Sequence, residues 1–248
     1  MKQSALIFVF AVLSGVVGPG RTSAAPLQPL AHGTFAHYTF ALTWQPGFCS
    51  VDEGCLSDQP TSPLIGLHGL WASRPRSLIA AGIAPQKWWQ HGCGYYSRGE
   101  GPPKLDSALT TRLKRVMPHL RSSLLTHEYE KHVQCFAFNP SLFFTTELTM
   151  RDAVARSAFG HYLLRHIGTE ITHADVVRNF KSAFHTTVAR ALQLQCGHSA
   201  SGQPILTQLW FTIRADRLQA FPRPESLTQI PINQDSCPAT FRVPDWRR

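Results

Sequence analysis

Apolar residues along this chain recur with two different spacings, and each spacing predicts a different kind of secondary structure. Short runs rich in β-branched and aromatic residues, bounded by glycine, proline or polar residues, are typical of strands. The clearest such run is ILTQLWFTI at 205–213. Strands are predicted at 37–44, 63–70, 190–195, 205–213 and 239–243.

Longer segments in the middle of the chain repeat their apolar positions every three or four residues, which predicts helices that bury one face. Val176, Val177, Phe180 and Phe184 follow this spacing. Helices are predicted at 105–117, 122–133, 140–158 and 172–188, and Pro118 ends the first of them. Together these elements predict a single α+β domain in which several helices pack on a mainly antiparallel central sheet.

The first 25 residues have the composition of a secretory signal peptide. A basic start is followed by an apolar stretch from Ala5 to Val17 and by small residues at 22–25 that suit a signal peptidase. The stretch is shorter than the roughly 20 residues that a membrane span needs, and no later segment supplies one. We therefore predict a signal peptide at 1–25 and a mature domain at 26–248, exported in soluble form to the periplasm or the medium.

Cysteine usage agrees with export. All six cysteines follow the predicted cleavage site and their number is even, which is typical of a disulfide-stabilised protein in an oxidising compartment. They are Cys49, Cys55, Cys93, Cys135, Cys196 and Cys237. Spacing alone allows many pairings and does not decide between them.

The charge balance is basic, which favours a polyanionic partner. Removing Lys2 and Arg21 with the signal peptide leaves 22 basic and 15 acidic side chains, a net charge of +7. A positive surface attracts phosphate groups over long distances. The same balance is common among exported proteins that bind nothing specific, so the charge alone indicates no function.

Two histidine motifs carry the candidate chemistry: LIGLHGLW at 64–71 and HEYEKHVQC at 127–135. Residues four apart on an α-helix share a face, so a helical second motif would align His127 with Lys131 and Glu128 with His132 along one wall of a cleft. The first motif predicts a short buried strand that presents His68 from a rigid element.

These groups match what cleavage of RNA by its own 2′-hydroxyl requires. A base must take the hydroxyl proton and an acid must protonate the departing 5′-oxygen, and two imidazoles can hold those opposite protonation states at once. Negative charge that builds on the phosphate oxygens calls for nearby cations or hydrogen-bond donors. Such chemistry needs no metal or cofactor and leaves a 2′,3′-cyclic phosphate that opens to a 3′-phosphate.

A zinc site is the alternative to this interpretation, because HE within a helix suggests a metalloprotease. That chemistry uses two histidines four residues apart on one helix face. Here the second histidine, His132, follows His127 by five residues, and Lys131 occupies the intervening i+4 position. The spacing and the ammonium group both predict that no metal binds.

At these residues the chain resembles the ribonuclease T2 family, the acid endoribonucleases of secretory and periplasmic compartments. Those proteins carry HGLW and HExxKHGxC motifs, which LHGLW at 67–71 and HEYEKHVQC at 127–135 match. The segment YTFALTWQPGFC at 38–49 resembles the first core strand of the bacterial branch. The resemblance implies a metal-independent endoribonuclease that acts on RNA. A monomer is the default expectation, and the sequence leaves an inhibitor protein undecided.

The resemblance also assigns roles. His68 and His132 become the acid–base pair; family precedent favours His132 as base and His68 as acid, while the sequence leaves the two interchangeable. Glu128, a catalytic residue, and Lys131, a substrate-binding residue, would stabilise the five-coordinate phosphorus. His127 would hold the phosphate, and Trp71 would lie on the base-binding side. The implied disulfides join Cys49 with Cys55, Cys93 with Cys135, and Cys196 with Cys237.

Some positions depart from the family pattern and keep a second hypothesis open. Val133 and Gln134 follow the last histidine of the motif where the family usually has Gly first, and Ala72 and Ser73 follow HGLW. A branched side chain at 133 would alter the backbone if the usual glycine has positive φ. The alternative is therefore an exported RNA- or polyanion-binding protein that keeps the fold with weak or no catalysis; a weaker one is a toxin delivered to competitors. Base preference is left undecided.

Overall fold

In the computed structural model, which describes residues 26–51, 54–96 and 101–246, an antiparallel sheet forms the centre of the protein. Strand β1 (His37–Trp44) pairs with β2 (Ile65–Ala72) on one edge and with β5 (Pro204–Arg214) on the other. Strand β4 (Leu192–His198) pairs antiparallel with β5. The short strands β3 (Glu170–Thr172) and β6 (Thr240–Arg242) pair with each other, and β6 forms one parallel bridge with β5.

Helices surround this sheet and connect its strands. They are α1 (Gln45–Val51), α2 (Arg76–Ala80), α3 (Pro85–His91), α4 (Ser107–Val116), α5 (Leu124–Glu128), α6 (Pro140–Ala155), α7 (Ala158–Arg165) and α8 (His173–Ala183). A π-helical turn, Tyr129–Val133, continues α5 and is followed by a short 3-10 turn, Gln134–Phe136. No helix among the described residues is long and apolar enough to cross a membrane.

The core lies between the sheet and the helices that follow it. Phe211 of β5 packs against Phe159, Phe180 and Phe184 of the α7–α8 layer, with ring centroids 6.0–6.2 Å apart. Burying one such ring stabilises the fold by about 1.5–3 kcal/mol relative to leaving it exposed. Arg151 of α6 donates to the carbonyl of Ile65, which fixes α6 against β2.

The predicted fold class is confirmed, and the differences are local. Predicted strand 37–44 has the observed bounds, and the other four predicted strands are present with shifted ends. The predicted helix at 140–158 was wrong in extent: it ends at Ala155, and Ser157 caps a separate helix α7. The predicted helix at 122–133 was wrong in type, since α-helical geometry ends at Glu128. Helices α1, α2 and α3 and strand β3 were not predicted.

Three disulfides hold the domain, and they are the pairs that the family resemblance implied. Cys49 is bonded to Cys55, Cys93 to Cys135 and Cys196 to Cys237. The second bond joins the 3-10 turn after α3 to the 3-10 turn after the π-helical turn. It therefore anchors the end of the second histidine motif. The predicted signal peptide lies outside the described residues, so its cleavage site stays a prediction.

Candidate active site

His68 projects from a β-bulge in strand β2. In the register of β2 with β1, Gly69 lies opposite Ala41 and Leu67 opposite Leu42, so His68 is the extra residue. Side chains of a regular strand alternate between faces, which would put His68 and Trp71 on opposite sides of the sheet. The bulge removes that alternation, and the two rings meet with centroids 5.3 Å apart. Both residues of the HGLW motif thus face one cavity.

Gly69 of the same motif allows a carboxylate to lie directly on the strand. A Cβ atom at this position would be 2.0 Å from Glu128 Oε2 and 2.7 Å from Trp71 Nε1. The Trp71 indole N–H donates to Glu128 Oε2 at 2.6 Å, and Glu128 Oε1 is 3.5 Å from His68 Nε2. Trp71, predicted only as a base-binding residue, therefore also holds Glu128 in place.

The second motif is divided between α5 and the π-helical turn. The backbone N–H of Gln134 bonds to the carbonyl of Tyr129, five residues earlier, which widens the helix by one residue. As a result His127 from α5 and His132 from the π-helical turn point to the same side, with ring centroids 6.3 Å apart. The His132 ring also packs on Trp71 at 5.5 Å. The wide turn brings the two motifs into contact.

Val133 fits its position without strain. Its φ angle is −120°, which a β-branched residue adopts readily, and its side chain is fully buried in the core. The glycine that this region does need is Gly92, which has φ +50° and approaches the π-helical turn so closely that a Cβ atom would lie 2.2 Å from the carbonyl oxygen of Lys131. The substitution of the usual glycine by Val133 is thus accommodated locally.

All six predicted catalytic and substrate-binding residues line one cavity of about 700 Å³, which we call the histidine cavity. They are His68, Trp71, His127, Glu128, Lys131 and His132. The pattern of the sequence did not reveal its other walls: Gln208 and Trp210 from β5, and Ile230, Pro231, Ile232 and Gln234 from a segment near the C-terminus. Two tryptophans of α3 also line this cavity: Trp88 is buried, whereas Trp89 is 41% exposed.

Burial changes the acidity of the groups in the histidine cavity. Removal from water raises the pKa of the Glu128 carboxyl to about 8, although the Trp71 hydrogen bond and the charge of Lys131 act in the opposite direction. Glu147 of α6 lies behind it and is also fully buried; burial and the proximity of Glu128 hold its pKa well above the usual range. Both carboxyls therefore carry protons in the free protein at mildly acidic pH.

The imidazoles respond in the other direction. Burial, then the charges of His127 and Lys131, lower the pKa of His68 to about 4, while a hydrogen bond with Gln208 partly opposes the shift. Burial followed by Lys131, His127 and His68 lowers the pKa of His132 well below its ordinary value. His127 is shifted down by burial and Lys131. Without a bound anion, these rings are neutral near pH 7.

The geometry corrects one argument against a metal site. Because the π-helical turn brings His127 and His132 together, one ligand atom from each, with one from Glu128, lies within 4.8 Å of the others. The five-residue spacing therefore does not separate the two histidines, and that part of the prediction was wrong. The ammonium of Lys131, which lowers the pKa of both rings, still opposes a cation in this position.

Comparison with known proteins places this arrangement in a family. The family model described as Ribonuclease T2 family matches residues 35–223. Ribonuclease I of Escherichia coli (strain K12) is 29% identical over 247 residues, covering 89% of this chain and 90% of that protein.

Solved structures share the fold. The SF11-RNase of Nicotiana alata, associated with gametophytic self-incompatibility, has a TM-score of 0.59 and 18% identity, and the match covers 86% of this chain and 100% of that chain. RNase NT in complex with 5′-AMP has a TM-score of 0.58 and 17% identity, covering 85% and 98% of the two chains. With the family model matching most of the chain and both motifs in one cavity, the chain belongs to the Ribonuclease T2 family.

Proposed function

We propose that this endoribonuclease cleaves single-stranded RNA through attack of the 2′-hydroxyl on the adjacent phosphorus, with His132 and His68 as the proton-transfer pair. The observation that carries the proposal is the convergence of both imidazoles, Glu128 and Lys131 in one cavity. Lys131, Arg74 and Arg76 line that cavity, whereas its one carboxyl among the described lining residues, Glu128, is neutral at mildly acidic pH. The cavity is therefore suited to a phosphodiester anion.

The proposed reaction has two steps. First, one imidazole takes the proton of the 2′-hydroxyl, the 2′-oxygen bonds to phosphorus, the bond from phosphorus to the 5′-oxygen breaks, and the second imidazole gives that oxygen its proton. The products are a 2′,3′-cyclic phosphate and a 5′-hydroxyl. In the second step the two roles are exchanged: one imidazole takes a proton from water as the water oxygen bonds to phosphorus. The bond from phosphorus to the 2′-oxygen breaks, the other imidazole protonates that oxygen, and a 3′-phosphate and a free 2′-hydroxyl result.

The surroundings of the two rings support His132 as base and His68 as acid. His132 faces three cationic or potentially cationic neighbours, Lys131, His127 and His68, which favour its neutral form. His127 and Lys131 lower the pKa of His68 as well, but His68 also has the Gln208 hydrogen bond, which favours its protonated form. Lys131 and His127 then meet the charge that develops on the phosphate oxygens.

The proposed function predicts that the protein cleaves RNA without a metal and prefers acidic pH. A short RNA is incubated in EDTA from pH 4 to 8, and both the rate and the chemistry of the ends are measured. The acid imidazole has a lowered pKa in the free protein, so its protonated fraction falls as pH rises, and kcat/KM should fall about tenfold per pH unit on the alkaline side. A bound phosphate raises that pKa, so kcat should decline at higher pH than kcat/KM.

Cyclic phosphate ends formed in EDTA, with this pH profile, would support the two-imidazole mechanism. Activity lost in EDTA and restored by a divalent metal would contradict it and point to the cluster of His127, Glu128 and His132. No cleavage at any pH by folded, oxidised protein would favour the alternative of an RNA-binding protein without catalysis.

The Cys93–Cys135 disulfide should support catalysis as well as stability. Replacing both cysteines by alanine opens a loop with a sequence separation of 42 residues. The chain-entropy relation gives a loss of about 4 kcal/mol in the free energy of unfolding. Since the bond fixes the chain that follows His132, kcat should also fall about tenfold or more, because a misplacement of about 1 Å can cost about 10²-fold.

A matched control separates the two effects. The Cys196–Cys237 disulfide has a sequence separation of 41 residues, so its removal should cost a similar amount of stability. Urea unfolding and kcat are measured for both double variants at a temperature where both are folded. Equal losses of kcat in the two variants would show that the first bond has no particular part in positioning His132.

We further propose that the protein acts after export, as a monomer, in the periplasm or the medium. Three disulfides and no free cysteine among the described residues suit an oxidising compartment. The composition of residues 1–25, which is that of a signal peptide, also supports export. The N-terminal sequence of the mature protein, read from a secreting culture, would locate the cleavage site.

A further inference from the structure

A second and larger cavity lies beside the histidine cavity and takes no part in the chemistry described above. It has a volume of about 1110 Å³ and is bounded by α8, β4 and the segment 233–239. Its cationic lining consists of Arg178 and Lys181 from α8 and Arg190 from the turn before β4. We call this cavity the basic groove.

The positive charge of the basic groove is largely uncompensated. Neither Lys181 nor Arg190 forms an ion pair within the described part of the chain, and Arg178 pairs with Asp175 on the surface of α8. The acidic residue that lines the groove, Asp235, is already engaged: it bonds to His173 at 2.8 Å and accepts the backbone N–H of Leu194 at 3.1 Å. The groove therefore offers cations to a ligand and no free carboxylate.

One extended segment separates the basic groove from the histidine cavity. Ile230 and Pro231 both line the histidine cavity. From residue 232 to residue 235 the chain alternates: Ile232 and Gln234 line the histidine cavity, and Asn233 and Asp235 line the basic groove. The alternation means that the two cavities lie on opposite sides of a single chain, which is fixed to the neighbouring structure by bonds such as Ser236 N–H to the Leu194 carbonyl. Arg190 itself donates to the carbonyl of Ile230 and ties the groove to this wall.

We propose that the basic groove binds phosphate groups of the same RNA strand, beyond the nucleotides held in the histidine cavity. The inference rests on the proposed function, because it extends that substrate across the wall at 230–237. A groove of spaced cations without base-reading geometry binds the backbone of any sequence and contributes affinity rather than base preference. It would thus make the protein favour long RNA over dinucleotides.

The test compares two variants that each remove two positive charges three residues apart on one helix. Arg178→Gln/Lys181→Gln alters the basic groove and leaves Arg190 and its bond to Ile230 intact. Arg112→Gln/Arg115→Gln alters exposed residues of α4 that line neither cavity. Binding of a long single-stranded RNA is measured against salt concentration in a His132→Ala background, and KM is measured for the same RNA and for a dinucleotide in the active protein.

We expect the groove variant to bind long RNA about tenfold more weakly near 0.1 M salt, with the slope of log K against log salt reduced by about 1 to 1.5. Its KM for long RNA should rise in parallel, while its KM for the dinucleotide stays at the value of the unmodified protein. Lys181→Gln alone, which breaks no ion pair, should give a smaller loss in the same direction. The α4 variant should differ from the unmodified protein far less.

Two results would overturn the proposal: equal losses of RNA affinity in the groove and α4 variants, or an equal rise in KM for the dinucleotide and the long RNA in the groove variant. Failure of the proposed function is visible separately, as absence of dinucleotide cleavage by the unmodified protein. In that case the binding comparison still decides whether the groove holds RNA.

Discussion

An RNA strand with a single 2′-deoxy nucleotide on the 5′ side of the scissile phosphate should not be cleaved at that bond. In the proposed mechanism the nucleophile of the first step is the 2′-oxygen, and no group in the histidine cavity can replace it. A loss of at least four orders of magnitude, to the limit of detection, is expected, since the full catalytic gain of enzymes exceeds about 10⁶-fold. DNA should be equally resistant.

The modified strand also provides its own control. In the proposed function, Lys131, His127 and the walls of the histidine cavity would contact groups that the substitution leaves unchanged, so the strand should still bind and should inhibit cleavage of ordinary RNA. Moving the deoxy nucleotide one position away should restore cutting at the original bond. Cleavage at the modified position would mean that free or metal-bound water is the nucleophile, and it would contradict 2′-hydroxyl attack.

Replacing His132 by alanine should lower kcat for RNA cleavage by about 10²- to 10⁴-fold, the usual contribution of a positioned proton-transfer group. The His132 ring contacts Trp71 and His127, with ring centroids 5.5 and 6.3 Å away. No other imidazole among the described residues occupies the position that is left when this ring is removed. One limb of the pH profile reports the titration of the His132 ring, and that limb should be absent in the variant.

The matched control is His161→Ala, which removes an exposed imidazole from α7 and should leave kcat unchanged. His68→Ala should resemble His132→Ala, and the double variant should lose little more than either, because the two rings act as one unit. A thermal melt verifies that each variant is folded. A His132→Ala protein that retains more than about a tenth of its kcat would remove this ring from the mechanism.

The periodic parts of the fold were predictable from the sequence, and the short parts were not. The strand at 205–213 and the helix containing Val176 and Phe180 bury long apolar patterns, which the sequence displays directly. Helices α2 and α3, with 5 and 7 residues, are too short to repeat a pattern. Strand β3 has 3 residues and is defined by its pairing with β6, some 70 residues later, a contact that no local pattern contains.

The candidate site was predictable in its members but not in its geometry. The motifs named His68, Glu128 and His132 because their chemistry matches the reaction. The walls formed by Gln208, Trp210 and the segment at 230–234 come from distant parts of the chain, and only the folded sheet brings them to the motifs. The bond between Trp71 and Glu128 likewise depends on the close approach that Gly69 allows.

Both members of the proposed proton-transfer pair come from places where the chain holds one residue more than a regular element accommodates. His68 is the additional residue of a strand, and His132 lies in a helical turn closed five residues apart rather than four. Insertion of one residue turns a side chain to a new face while the flanking apolar residues keep their places in the core. Such a scaffold could gain or lose its chemistry through single-residue insertions and deletions, with the hydrophobic pattern that specifies the fold left intact.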